Sequence, residues 1–443
     1  MVFKLIYKIL RYPYWQFKKY YIENRDRKLR KPAKKYSPQI NKKQKTIEKI
    51  NIFRLTKKYR SPLFITSKPH LIKKYQLLRK TLNQYYLNSS IAYSIKTNNV
   101  YGICQVFKNQ GALAEVVSAY EYFLAKKLDY KDKNIIYNGP YKNILSLKKA
   151  LKNKAKIHVD NFEELKTVCR LSQDWKQKTP IGIRVNTFKN NTNSRFGFNI
   201  EKGKAQKAIS IINKNSKLVL TGIHCHIGSN IKKPEVYFKT SQAICSWISK
   251  LKLKTLKYLD LGGGFPVCDT QIIIYSFFKK SVLEIKDFIK AIIDPIKCYN
   301  LQHLKLILEP GRFLVDEAVV LATTVLHTRL DNQKQLITTD GSTSIFPLAQ
   351  FQNKKAVLIP KSKNQSKKNY QSIIYGASCM ETDCLTKDQK LPPIFPGDII
   401  LFEKVGAYNI SQANQFIFPR PAVIMIDGKK IKILRKAEKN KGS

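Results

Sequence analysis

The chain has 443 residues, of which 43% are hydrophobic and 25% charged, and it carries a formal net charge of +52. That length suffices for two domains with separate cores, and the apolar content excludes a disordered polymer. The positive charge is spread along the chain, so it predicts non-specific attraction to anionic surfaces and no specific nucleic-acid recognition.

Residues 1–50 stand apart, with 16 Lys and Arg against 3 acids. In "MVFKLIYKILRYPYWQFKKYYIENRDRKLRKPAKKY", aliphatic and aromatic residues alternate with cations. Such a segment reads as a basic N-terminal extension with weak affinity for a membrane surface. Residues 51–68 are expected to add a strand to a C-terminal β-domain. In "HLIKKYQLLRKTLNQYY", Leu71, Ile72, Tyr75, Leu78 and Leu82 recur at helical spacing.

From residue 91 short apolar runs alternate with helical stretches. The runs are "IAYSI" (91–95), "ALAEVV" (112–117), "NIIYN" (134–138), "AKIHVD" (155–160), "IGIRVN" (181–186), "LTGIHCHI" (220–227), "LKYLDL" (256–261) and "LKLILEP" (304–310). Eight β-α repeats over this length predict a parallel (β/α)8 barrel, placed at 69–314. After 315 the texture changes to short β-like runs such as "AVVLATTVLHTRL", "SIIYGA", "GDIILFE" and "AVIMIDG". These predict a β-sheet or β-barrel domain over 315–443, giving an α/β plus β fold.

The eight cysteines form no C-x-x-C, and the N-terminus lacks the apolar core of a signal peptide. Reduced thiols in a cytoplasmic protein are therefore expected. No apolar run approaches the length that spans a bilayer.

A parallel barrel presents its active site at the C-terminal ends of its strands. The first strand ends on Lys96, and the sixth runs into His226, Gly228 and Ser229. The seventh leads to Gly262, Gly263 and Gly264, and the eighth to Glu309, Gly311 and Arg312. A glycine loop lets backbone N–H groups approach a phosphate, and Ser229 adds a hydroxyl. A lysine in a partly apolar mouth can form a Schiff base. A carboxylate can hold a heteroaromatic nitrogen in its protonated state. Together these groups match pyridoxal 5'-phosphate. "HCH" pairs two histidines without a third ligand at useful spacing, so no metal site is expected.

The motifs "AYSIKTN", "AEVVSAYE", "RVN…SRFGF", "GIHCHIGSNI", "LDLGGGFP", "EPGR", "GASCMETD" and "GAYNIS" occur in this order. The chain thereby resembles the fold-type III pyridoxal-phosphate decarboxylases, and among them the diaminopimelate decarboxylase-like branch. The resemblance implies an amino-acid decarboxylase with Lys96 as Schiff-base lysine and His226 stacked on the cofactor ring. It implies that Ser229, Gly262, Gly263, Gly264, Gly311, Arg312 and Tyr408 lie near the phosphate or substrate, and that Glu309 pairs with the pyridine nitrogen. Cys379 would be supplied by the partner subunit of a homodimer with shared sites. Cys379 or Lys96 would reprotonate the α-carbon.

Two positions depart from that branch. Phe346 stands where an arginine is usual, and Met380 follows Cys379, with the acid displaced to Glu381. Both departures fall at the end that reads the far side of a doubly charged substrate, so Phe346, Glu381, Arg312 and Tyr408 are the expected substrate contacts. The expectation is decarboxylation of an amino acid less charged than diaminopimelate. The alternatives are diaminopimelate decarboxylation itself and a non-catalytic cofactor-binding protein with a basic tail.

Overall fold

The structure is a computed structural model that describes residues 38–187, 194–267, 274–276, 279–281, 284–362 and 368–438. The amphipathic stretch expected near the N-terminus lies outside these residues. The chain divides into two compact units. One is built from 76–95 and 111–313, the other from 38–75, 96–110 and 314–438.

The first unit is a closed barrel of eight parallel strands. They are β1 (Ser89–Ser94), β2 (Leu113–Val116), β3 (Ile135–Tyr137), β4 (Lys156–Val159), β5 (Thr179–Asn186), β6 (Leu218–His224), β7 (Tyr258–Asp260) and β8 (Lys305–Leu308). Each strand pairs with the next, β7 with β8 through Asp260 and Ile307, and β8 pairs with β1 to close the ring. The eight apolar runs of the sequence are these strands. Buried on both faces, they need no polar alternation, which is why they read as continuous apolar runs.

Two of the intervening helices start on side-chain caps of the same kind. Ser118 accepts from the Glu121 N–H and Asn161 from the Glu164 N–H. Glu121 and Glu164 return the favour by accepting from the N–H groups of Val117 and Asp160. Such reciprocal capping satisfies donors that would otherwise be left at a helix start. Inside the barrel Ala92, Ile136, Tyr258 and Ile307 form one apolar layer, contributed by alternate strands and by β8.

The second unit is a β-domain. Strand Leu63–Ser67 lies between Val319–Asp331, to which it is antiparallel, and Ala422–Asp427, to which it is parallel. The 13-residue strand Val319–Asp331 also pairs with Ile399–Phe402 and Lys334–Thr339. Leu63, Ile65, Val320, Ala322, Val357, Ile399, Leu401 and Ile424 fill its core.

Two sequence boundaries differ from the structure. Residues 38–50 are not part of a detached extension. Short strands at Ile40–Asn41, Thr46–Ile47 and Ile50–Asn51 pair with one another, and Ile47 is buried in the β-domain core. Apolar burial draws this piece in despite its lysines. Residues 51–68 hold a helix, Ile52–Tyr59, before the strand, with Ile52 and Leu55 in the same core. The strand Cys384–Leu391 does not stand out in the sequence, because "CLTKDQKL" is too polar.

Candidate active site

The barrel unit brings four strand ends together. The Glu309 N–H donates to the Gly262 carbonyl at 2.7 Å, and the Leu261 N–H to the Ile307 carbonyl at 3.1 Å. The Cys225 N–H donates to the Asp260 carbonyl at 2.8 Å, and the Ser94 N–H to the Pro310 carbonyl at 3.4 Å. These bonds continue the barrel pairing past the strands and hold the loops after β6, β7 and β8 together.

The glycines are required here by close approach. A Cβ on Gly263 would lie 2.2 Å from the Glu309 carbonyl oxygen, and one on Gly264 would lie 2.4 Å from that of Gly228. Gly262 and Gly264 also hold φ of +63° and +86°. His226 follows β6, and its Nδ1 accepts from the Gly263 N–H at 3.3 Å. Gly311 and Arg312 are buried beside the strand end that carries Glu309, whereas Ser229 is exposed. A backbone cradle without Cβ atoms, an imidazole hydrogen-bonded to it and a buried carboxylate fit a phosphate, an aromatic ring and its nitrogen respectively. The residues present therefore fit pyridoxal phosphate.

Glu309 sits in a cluster that the sequence did not reveal. Asn138, on the loop after β3, donates through Nδ2 to Glu309 Oε1 at 2.6 Å and to Glu115 Oε1 at 3.1 Å. Ser94 donates to Glu115 Oε2 at 2.6 Å. His224 Nε2 is 3.4 Å from Glu309 Oε2, and its ring stacks on His158 at 4.7 Å between centroids. Asp260 is fully buried and accepts from the Gly262 N–H at 2.9 Å. Burial, and after it the neighbouring Glu309 charge, push the Asp260 carboxyl well above the usual carboxylate range.

Only one histidine of "HCH", His224, joins a three-residue cluster. His158, His224 and Glu309 place three ligand-type atoms within 4.8 Å of one another. Both ring nitrogens of His158 are already engaged, however, Nδ1 with Asn138 at 2.6 Å and Nε2 with Tyr258 at 3.1 Å. A metal would have to break a buried hydrogen bond to gain that ligand.

Lys96 lies two residues past β1, in the 3-10 turn Ile95–Thr97, and is half-buried. Within the β-unit this turn is strapped to the segment 406–411. The Tyr408 N–H donates to the Thr97 carbonyl at 2.8 Å, and Asn98 Nδ2 to the Gly406 carbonyl at 2.9 Å. Tyr408 has φ of +65°, a left-handed conformation uncommon for a residue with Cβ. It caps the short helix Asn409–Gln412. "KTN" and "GAYN", 310 residues apart, thus meet through backbone.

Cys379 is exposed on a turn held by one buried acid, Asp383. Asp383 accepts from Ser378 N–H at 2.9 Å and from Thr343 N–H at 2.6 Å. Its backbone N–H donates to the Met380 carbonyl at 2.9 Å. Asp383 therefore ties the cysteine turn to the segment that leads to Phe346. Glu381 is exposed on the same turn. Phe346 is fully buried, with its ring 5.3 Å from that of Phe402. The structure thus gathers His226, the glycines and Glu309 in the barrel unit. In the β-unit it gathers Lys96 with Tyr408, and Cys379 with the segment of Phe346.

Residues 69–316 match the family model described as pyridoxal-dependent decarboxylase, pyridoxal binding domain. Residues 265–406 match the C-terminal sheet domain of the same decarboxylases. The chain is 27% identical over 402 residues to a diaminopimelate decarboxylase of Bacillus methanolicus, covering 85% of this chain and 90% of that protein. It is 26% identical to one of Aquifex aeolicus, covering 91% and 96%. The crystal structure of diaminopimelate decarboxylase from M. jannaschii shares the fold, with a TM-score of 0.80 at 23% identity, covering 89% of this chain and 93% of that one. The pyridoxal-binding match alone spans more than half of the sequence and ends just past the buried carboxylate and its arginine, and so the chain belongs to the pyridoxal-dependent decarboxylases, lyases that use pyridoxal phosphate to release the carboxylate of an amino acid.

Proposed function

We propose that this enzyme decarboxylates an amino acid whose far end carries less charge than that of diaminopimelate, and that it works as a cytoplasmic homodimer with shared sites. Bound pyridoxal phosphate supplies an aldehyde for the substrate amine and an electron sink for the bond that breaks as CO₂ leaves. Lys96 supplies the amine that holds the cofactor. The glycine loop, Arg312 and Tyr408 would hold its phosphate, and Glu309 would pair with its ring nitrogen. His226 supports the ring. Cys379 or Lys96 returns a proton to the α-carbon.

The observation that carries the substrate reading is the placement of Phe346. Its ring is spent on Phe402 in the β-domain core and offers no cation to a distal carboxylate. A second reading, diaminopimelate as substrate, is favoured by the curated relatives, which bear that name. Glu381, exposed on the Cys379 turn, would then take over the far-end contact. CO₂ release from diaminopimelate, lysine, ornithine and a conjugated amino acid at equal concentration separates the two. The proposal expects diaminopimelate to have a lower kcat/KM than another member of the set, and a highest value for diaminopimelate overturns it.

The shared-site reading is supported by the exposure of Cys379 on a turn that Asp383 holds firmly. Co-refolding Lys96→Ala with Cys379→Ala should regenerate one intact site per mixed dimer. No activity from the mixture, with both variants folded and dimeric, refutes it.

A further inference from the structure

Four buried side chains of the barrel unit form a hydrogen-bonded line whose direction is determined by chemistry. It ends on Glu309. The Asn138 amide oxygen lies 2.6 Å from His158 Nδ1, and an amide oxygen can only accept. His158 Nδ1 therefore carries the proton. In a neutral imidazole the other nitrogen is then bare, and His158 Nε2 accepts from the Tyr258 hydroxyl at 3.1 Å. With its oxygen so engaged, Asn138 turns its two N–H bonds toward Glu309 and Glu115.

The opposite arrangement fails on electrostatics. Flipping Asn138 would set its oxygen 2.6 Å from a carboxylate oxygen of Glu309 and 3.1 Å from one of Glu115. His158 prevents that flip for as long as its Nδ1 is the protonated nitrogen. Tyr258 maintains this tautomer, since its hydroxyl donates to the other nitrogen.

We propose that Tyr258, His158 and Asn138 are positioning residues that present a fixed donor to Glu309, and so set how this carboxylate meets the cofactor's ring nitrogen. This rests on the reading of Glu309 as the partner of that nitrogen. The barrel makes room for the line at some expense. A Cβ on Gly182 would lie 2.5 Å from His158 Cδ2, and one on Gly222 would lie 2.0 Å from Tyr258 Cζ. Glycine weakens a strand, so two facing glycines mark rings that the fold accommodates. Burial, and after it the adjacent His224, push the His158 pKa well below its ordinary value, in keeping with a neutral ring.

The test is titration of apoenzyme with pyridoxal phosphate, following the visible band of the bound cofactor, its pH dependence and the dissociation constant. Tyr258→Phe keeps the ring and removes the donor. His158→Leu removes the ring nitrogens, and His158→Asn restores an N–H near the Nδ1 position. Loss of one buried donor predicts roughly tenfold weaker cofactor binding and a displaced spectral titration in Tyr258→Phe and His158→Leu. His158→Asn should recover affinity to within about threefold of wild type on the same reasoning. Thermal unfolding of each apoenzyme is the control for packing.

If His158→Asn binds as poorly as His158→Leu, or if affinity merely follows apoenzyme stability, the line is structural and the proposal fails. Glu309→Gln separates the two levels. If it responds while Tyr258→Phe behaves as wild type, the relay alone is wrong. If Glu309→Gln itself leaves band and affinity unchanged, the reading of Glu309 is wrong and the relay falls with it.

Discussion

Replacing Lys74 by methionine should be among the most damaging substitutions in the β-unit. Lys74 lies in the helix Lys68–Tyr85, and its ammonium is paired with Glu317 in the 3-10 turn Asp316–Ala318. Both side chains are only 1% exposed, so solvent gives little help to a carboxylate whose cation has been removed. Breaking one side of such a pair costs about 3–5 kcal/mol. For a unit of this size each kcal/mol moves the midpoint by about 2–4 °C, so the loss should be roughly 6–20 °C. Lys74→Met and the double variant Lys74→Met/Glu317→Leu would be compared by calorimetry, with and without sodium chloride at about 1 M. The double variant should regain most of the loss, because a buried pair contributes little net stability once its desolvation is counted. Salt should barely change any of the differences, since the pair is out of reach of screening ions. A single variant within about 2 °C of wild type, or a double variant less stable than the single one, refutes the argument.

Asp340 offers a pH test, because burial raises its carboxyl to about 6. The folded protein then holds this proton through a window, from about 4 to about 6, in which the unfolded chain releases it, so stability falls as pH rises across that window. Asp340→Asn keeps an acceptor for the Thr324 N–H, now at 2.8 Å, and removes the charge. It should raise stability at neutral pH by up to about 3 kcal/mol and have little effect below about pH 4, as unfolding midpoints at the two pH values will show. Gly263→Ala forces a methyl against the Glu309 carbonyl, at 2.2 Å with no flexible side chain to yield. It should cost about 1–3 kcal/mol and weaken cofactor binding, read by apoenzyme titration.

Much of this architecture is legible in the chain itself. Eight apolar runs, separated by helical stretches, specify the barrel strands, because a strand covered on both faces must be apolar along its length. Lys96, the three glycines and Glu309 stand at strand ends in the sequence as they do in the structure, since position along a strand is a local property. The β-domain was visible as a change of texture, although Cys384–Leu391 was hidden by its polar residues.

Burial of individual polar groups was not legible, because it depends on what lies across the fold. Lys74 sits among cations in "HLIKKYQ" and looks like a solvated lysine, yet it is buried, whereas Ile72, expected on the apolar face, is only half-buried. The helix periodicity is local, but Glu317 comes from 243 residues later in the chain. Asn138, His158 and Tyr258 read as ordinary strand residues on three separate repeats. Only closure of the barrel sets them in line behind Glu309, and only there does the identity of each donor and acceptor matter. Local periodicity and turn chemistry along the chain specify the barrel strands, their order and the groups just past their ends. Which polar groups share the buried interior follows only from the closed fold, because hydrogen-bond partners there are chosen by proximity across strands and not along them.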